Sequence, residues 1–363
     1  MTCHATVGAR AVTAAGNAPQ TVLGACLDQL EPLPLGANLG IVYGSEPMAP
    51  MADDIVRALR ARTGIDQWLG ACGAGVLGGP GGASEQGLAV LTLKLPADSC
   101  RFLPSMPLMP SSVGVLLAHA EIGSAEPAAL LAGLARHGAA TMVGGLSAAG
   151  RWPVQIAGAV MAGGVACLGF SADLPVVAGV ATAGSPLGPS HRVTSAVGAD
   201  ILALDGRPAL DVMAEELGDL YRHASRRFAE KLWLAERSVG AGGVEGYRMR
   251  RVAAADPASG ALRVEGGRPS AEVRLMRPDP AGSLGRLREL ARVLRDKLNG
   301  RPPTAGVYLA SRHRGHDLFG PAVDEVAILR EQLGQLPLIG LVTDAEIFDG
   351  VIHEASGILV LIG

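Results

Sequence analysis

One plan is written three times along this chain, and that repetition limits the fold more than any single residue does. The first copy runs LGIVYGS, an apolar-periodic helix, WLGACGAGVLGG and GLAVLTL. The second runs VGVLLAHAEI, PAALLAGLARHG, TMVGGLSAAG and AGAVMAGGVACLGF. The third runs AGVYLASRHRG, VDEVAILREQLG, LPLIGLVTDAEIFDG and SGILVLIG. Each reads as a strand, a loop, a helix, a strand closing on glycine, a tight turn and a later strand. Gly70 to Gly87 spans 17 residues, as does Gly340 to Gly357, so the first and third copies share a register. A long, irregular period argues for duplication of a supersecondary unit rather than a solenoid. The expected fold class is α/β, with internally repeated strand-helix-strand units forming mixed sheets flanked by helices, in two tightly associated domains.

At 363 residues the chain exceeds one ordinary core. A net charge of −3 with scattered basic residues gives no electrostatic footprint for nucleic acid, and 3% aromatics leave little to stack on bases. MTCHATVGARAV lacks the apolar run of a signal peptide. The longest apolar stretch, Val154 to Phe170, holds Gln155 and four glycines, so it reads as two short buried strands and not as membrane insertion. Cys3, Cys26, Cys72, Cys100 and Cys167 are odd in number and form no CxxC, which fits free thiols and a cytoplasmic location.

Along the chain, residues 1–37 form a helical lead-in with a helix at Pro19 to Leu30. A first domain is expected over 38–206 and a second over 207–363. PALDVMAEELGDL keeps Leu210, Met213, Leu217 and Leu220 on one apolar face of a helix. EGYRMRRVAAADPASGALRVEGG alternates on both sides of a DPASG turn and predicts a hairpin. SLGRLRELARVLRDKLNG predicts an amphipathic helix ended by glycine.

The stretches GACGAGVLG, PLGPSHRVTSAVGADILALDGRPAL, ASRHRGHDLFG and LPLIGLVTDAEIFDGVIHEASGILVL together resemble the FIST domain family, in both its N-terminal and C-terminal parts, over roughly residues 38–363. The resemblance implies a sensory, ligand-binding domain of intracellular signal transduction, with small molecules such as amino acids as ligands and haem in some members. The chain departs from the family pattern at Val76, where a Glu is usual, at Ala71, at Ser311, where a Cys is usual, at Ala345 in the GEI position, and at Ser356 in place of a Thr.

The densest polar cluster is SRHRGHD, Ser311 to Asp317, between a strand and a helix start. Such a loop presents backbone N–H groups, and Arg312 or Arg314 adds a fork suited to a carboxylate or phosphate. Arg314 is the arginine that matches the family motif. The corresponding turns of the three copies offer Cys72, Ser147 and Asp344 with Glu346, either as walls of one pocket or as buried turns closing a core. Glu346, between Ala345 and Ile347, must be paired or functional if buried. Arg314 and Glu346 are expected to line one cleft at the carboxyl ends of adjacent parallel strands, with Arg314 partly solvated, holding the two charges of an amino-acid-like zwitterion.

His313, His316 and His353 are weak metal candidates, since nothing in their spacing makes them converge. Haem needs an axial His or Cys in a deep apolar cleft; His191, the same three histidines and Cys72 are available, and no CxxCH selects one. No GxSxG elbow and no helix-opening dinucleotide fingerprint occurs. The expectation is therefore a small-molecule-binding sensory protein, not an enzyme, that signals in trans to a separate protein. A haem- or thiol-based redox or gas sensor, or an enzyme, is the alternative.

Overall fold

The computed structural model describes residues 8–79, 82–103, 113–121, 140–147, 154–218, 232–239, 245–265, 267–320 and 323–363. The first unit comprises β1 (Gly8–Ala15), α1 (Pro19–Gln29), β2 (Leu39–Ser45), α2 (Ala52–Thr63), β3 (Trp68–Gly73), β4 (Gly75–Leu77) and β5 (Gly87–Lys94). The second comprises β6 (Cys100–Phe102), β7 (Val113–Glu121), β8 (Thr141–Ser147), β9 (Val154–Ala157), β10 (Ala159–Ala162) and β11 (Val165–Ser171). β12 (Val176–Thr182) leads into β13 (Ser185–Val197), β14 (Asp200–Leu204), β15 (Arg207–Pro208), α3 (Ala209–Leu217), β16 (Trp233–Val239), β17 (Glu245–Asp256), β18 (Ala261–Val264) and β19 (Glu272–Arg277). The third unit follows as α4 (Pro280–Lys297), β20 (Ala305–Ser311), α5 (Glu325–Leu333), β21 (Leu338–Thr343), β22 (Ala345–Phe348), β23 (Val351–His353) and β24 (Ser356–Ile362).

Three mixed sheets share one strand order. They run β1-β5-β2-β3-β9-β10, β6-β11-β7-β8-β22-β23 and β12-β24-β20-β21-β4. In each, two strands of the repeated plan pair in parallel (β2 with β3, β7 with β8, β20 with β21) and the last strand (β5, β11, β24) returns antiparallel beside the first of them. The strand after the tight turn leaves its own sheet. β4 joins β21 of the third sheet, β22 joins β8 of the second, and β9 joins β3 of the first. The first unit thus hands one strand, and the second and third a hairpin each, to a neighbour, in a closed cycle of three. Helices connect the parallel strands in the first and third units; the second copy's expected helix, PAALLAGLARHG, lies outside the described residues.

The pairing also makes three adjustments to the sequence reading. The expected helical lead-in over residues 1–37 is only partly helical, because Gly8–Ala15 alternates and pairs along β5 as the edge strand β1 of the first sheet. The Val154 to Phe170 stretch forms three strands, β9, β10 and β11, because the exchanged strand turns back on itself as a hairpin. Gly357 pairs with Ala310, whereas the matching partner of Gly44 is Leu88, so Gly87 corresponds to Ser356 and the shared 17-residue spacing is displaced by one.

Local chemistry explains the helices that flank the sheets. α2 carries Asp53 and Asp54 in its first turn and Arg60 and Arg62 in its last, and ends at Gly64 with φ +70°, a left-handed cap that glycine adopts without strain. Asp324 caps α5 by accepting from the N–H groups of Val326 and Ala327, and Asp279 caps α4 by accepting from Gly282. The inward faces of the three sheets meet in one apolar core that includes Ile41, Leu91, Leu117, Leu168, Val307 and Val360. α1 and α2 cover the outside of the first sheet, and α4 and α5 cover the third.

Between β12 and α4 the chain builds a small barrel. Its order is β13-β19-β16-β17-β18-β14, closed by pairing of β13 with β14, with β15 beside β14. Leu210, Met213 and Leu217 of α3 pack against Leu204, Leu234, Leu262 and Leu275 from its strands. The β17–β18 hairpin is the one expected at DPASG.

Gly70, Gly144 and Gly340 occupy matching positions in the second strand of each unit. A Cβ there would lie 2.0 Å from the carbonyl oxygen of Val42, 1.8 Å from that of Ala118 and 2.1 Å from that of Tyr308. These oxygens belong to the residues that face them across the parallel ladders, so relief requires the strands to part. Gly340→Ala is expected to destabilise the protein by about 1–3 kcal/mol or more, the usual range for forced overpacking. Gly24→Ala, where an added Cβ meets nothing within 4 Å in a helix, should instead be neutral or stabilising. Chemical denaturation of the two variants checks this.

Candidate ligand-binding site

A cavity of about 710 Å³ opens at the seam where β4 of the first unit joins the third sheet. Ala74 and Gly75 wall one side, and Ser311, Arg312, His313 and Gly315, from the loop after β20, wall the other. That loop is a short turn followed by a π-helical segment, Gly315–Phe319. Its start is tied to the sheet, because Arg312 N donates to Thr343 O at 2.8 Å and Ser311 Oγ accepts from His313 N at 3.3 Å and Ala355 N at 3.2 Å. Ser45, at the same place in the first unit, makes the matching tie: its Oγ accepts from Gly87 N at 2.8 Å and donates to Gly87 O at 3.1 Å. Ser311 is therefore both a strand-end tie and a cavity wall.

The two arginines of the loop point to different environments. The Arg312 side chain is 49% exposed and its Nη1 lies 2.8 Å from Asp344 Oδ1, so its remaining donors face solvent and the cavity. Arg314 is fully buried, contrary to the expectation of a partly solvated group. Its Nε and Nη2 donate to Glu325 Oε1 at 3.0 and 2.7 Å, its Nη1 donates to Ala181 O at 3.1 Å, and Phe319 stacks 5.4 Å from its guanidinium. Burial alone would lower its pKa, but the Glu325 carboxylate overrides this and drives it up. Arg314 thus fastens the loop to α5 from behind the cavity.

Glu346 is also fully buried and lies away from the cavity wall. Thr343 Oγ1 donates to its Oε1 at 2.7 Å, and Ser356 donates to its Oε2 from Oγ at 2.6 Å and from N at 3.2 Å. Burial pushes its pKa up to about 8, against the hydrogen bonds from Ser356 and Thr343 and the charge of Arg314, which pull it down. The expected cleft shared by Arg314 and Glu346 does not form: each is sequestered by its own partners.

Register shows what Glu346 corresponds to. Glu346 faces Gly145, Gln155 faces Ala71 and Val76 faces Leu341, and these three facing positions are equivalent in the three sheets. Gln155 Nε2 lies 3.5 Å from Ser147 Oγ, as Glu346 lies by Thr343, so Ser147 belongs to this interior layer and not to the cavity. In the same layer Tyr43 Oη lies 3.0 Å from His119 Nε2, linking the first two sheets. Burial lowers the His119 pKa to about 3, which keeps the ring neutral. Pattern reading of the sequence missed Tyr43 and His119; their signal was a polar residue at the same place in otherwise apolar first strands.

Cys72 is buried on the outer face of β3, and burial pushes its thiol up to about 12 despite a backbone hydrogen bond from Gly44, so little thiolate exists at neutral pH. His313 lines the cavity, and His353 is buried edge-on to Phe348. The side chain of His316 lies outside the described residues. Among the described residues no group of three His, Cys, Asp or Glu side chains is placed to hold a metal ion. No described helix is long and apolar enough to cross a membrane.

Comparison with known families gives two adjoining matches. Residues 38–207 match the FIST N domain and residues 209–349 match the FIST C domain. The junction falls at β15, just before α3, so both segments contribute strands to the barrel, and the cavity is walled by residues from both. Two uncharacterized proteins from two strains of Mycobacterium tuberculosis are each 27% identical over 174 residues, 47% of this chain and 45% of theirs. The chain therefore spans about half the length of the curated relatives it matches. A crystal structure of a cyanuric acid hydrolase from A. caulinodans aligns over 99% of each chain at 9% identity with a TM-score of 0.31, too low to support any argument from it.

Two outcomes follow from the buried groups. Arg314→Ala leaves Glu325 buried without its counter-charge and should cost about 3–5 kcal/mol, seen as a large drop in melting temperature. For Glu346 the folded pKa of about 8 exceeds its ordinary 4.5, so the folded state binds the extra proton and stability falls as pH rises between those values. Glu346→Gln cannot titrate, so the wild-type melting temperature should decline relative to that of the variant across this window. Parallel curves for the two proteins would show that Glu346 ionises in the fold as it does in water.

Proposed function

Because the chain belongs to the FIST family, whose domains are signal-transduction sensory domains, we propose that its ligand is a small amino-acid-like or carboxylate molecule held in the seam cavity and anchored by Arg312. The observation that carries this reading is the placement of a half-exposed guanidinium in the wall of a cavity of about 710 Å³. That volume falls within the roughly 300–1,000 Å³ range of small-molecule sites. Arg312 has donors beyond those used on Asp344, and a guanidinium fork suits a carboxylate. Arg314 supports the site indirectly by fixing the loop that carries Arg312.

The seam is also a suitable place for a sensor. Its two sides come from different units, joined through an exchanged strand, so a ligand that bridges them biases how the units sit. We place the readout in trans, in a separate signalling protein that contacts the loop side of the third sheet. Such an effect requires the ligand to bind one arrangement better than the other.

Thermal-shift screening with amino acids and small carboxylates tests the proposal, since a ligand at 100 times its Kd stabilises by about 2.7 kcal/mol. A positive shift is expected for at least one such probe. Arg312→Ala should abolish it while leaving the unliganded melting temperature nearly unchanged, because an exposed ion pair contributes only about 0–1 kcal/mol. A screen of correctly folded protein with no shift, or a shift that survives Arg312→Ala, overturns the assignment.

A further inference from the structure

We infer that Glu325 is the ammonium-receiving group of the seam cavity, so that the molecule bound there is a zwitterion with a primary ammonium as well as an acid group. This rests on the cavity being the ligand site with Arg312 at the acid end, and it adds what that reading leaves open. Glu325 opens α5 directly after the capping Asp324, and it lines the cavity while only 7% exposed. Its two carboxylate oxygens are used unequally. Oε1 takes three donors: Tyr308 Oη at 2.9 Å, Arg314 Nε at 3.0 Å and Arg314 Nη2 at 2.7 Å. Oε2 takes none among the described residues, and it is not one of the unpartnered atoms sealed from solvent.

A carboxylate offers about four lone-pair sites, so the Oε2 side keeps unused accepting capacity at the edge of a cavity. Tyr308 and Arg314 are both fully buried, which fixes the carboxylate and prevents it from turning Oε2 inward. An immobile, largely desolvated acceptor of this kind is completed by a charged N–H donor. The surrounding charges favour the same ligand. Glu46 and Glu85 line the cavity beside Glu325, Arg312 is already paired with Asp344, and Arg314 offsets one acid from behind. A bare carboxylate entering this site meets net negative charge, whereas a zwitterion brings its own compensation.

The test uses the full chain and matched triplets built on the side chains of alanine, leucine, phenylalanine and glutamate. Each triplet holds the amino acid, its desamino acid and its decarboxylated amine, and Kd is measured by calorimetry. For the side chain that fits, the amino acid should bind about tenfold or more tighter than the desamino acid, as expected for one charged hydrogen bond. Glu325→Gln should reduce that ratio to near one. Desamino acids that bind as tightly as the amino acids overturn the role of Glu325 and leave Arg312 in place. Amines that bind as well as amino acids, with Arg312→Ala silent, overturn the acid-end reading and leave Glu325 in place. If no member of any triplet binds, both fail. Should Glu325→Gln not fold, the ratio in the wild-type protein decides alone.

Discussion

The exchange of one short strand between neighbouring units is the constraint on which the rest of this structure depends. None of the three mixed sheets is complete without strands from another unit, because β4, β22 and β9 each pair with the second parallel strand of a sheet they do not begin in, and β10 and β23 extend two of those sheets further. A unit folded alone would leave a parallel strand with an unpaired edge, which a buried backbone does not tolerate. Gly70, Gly144 and Gly340 let the second parallel strand of each unit lie close against the carbonyls of the first, and the other edge of that second strand receives the incoming one. Topology, the shared core and the seam cavity therefore have one origin. The cavity lies where an incoming strand meets the loop of its host.

The three sheets carry different residues at corresponding register positions. The position that is Glu346 in one exchanged strand is Gln155 in another and Val76 in the third. The surroundings differ with the residue. Glu346 has Thr343 and Ser356, Gln155 has Ser147, and Val76 packs against Gly87, where an added Cβ would lie 2.6 Å from its Cγ2. Glu346 has donors on both carboxylate oxygens, whereas Gln155 is held only through Nε2 and its Oε1 is buried without a partner among the described residues. At Val76 the first unit places an apolar side chain where the other two carry a polar one.

Much of the architecture was legible in the sequence because period-two apolar runs and capped helices carry direct signals. α1, α4 and the β17–β18 hairpin lie where their patterns placed them. The barrel was not legible, since its closure depends on β13 pairing with two partners far apart in the chain, and local alternation cannot show which strands meet. The strand exchange was hidden for the same reason. Of the candidate site residues, the cavity brings together Ser311 and Arg312, with Asp344 paired to Arg312, because all three sit at the ends of adjacent parallel strands. Arg314 and Glu346 were misjudged because sequence gives a charged residue's place along the chain but not the partner that can satisfy it in the interior. Glu325 went unnoticed because an acid in the first turn of a helix has an ordinary explanation in the helix dipole.

The loop Ser311–Gly320 places two arginines of one short motif in opposite environments. Arg312 and Arg314 are two residues apart, yet one is half exposed and the other is fully enclosed. The enclosed arginine holds Glu325 and stacks on Phe319, which sets the loop's path past the cavity. The exposed one pairs with Asp344 at the cavity wall and, under the proposed function, would offer its other donors to the ligand. Rigid support behind an accessible charge lowers the ordering cost of binding, since the loop need not be organised when the ligand arrives. On this view the motif's second arginine is needed wherever the fold must hold the loop, whereas the residue at Arg312 is free to follow the ligand. A relative with a different ligand is expected to keep an arginine at the Arg314 position and to vary at the Arg312 position.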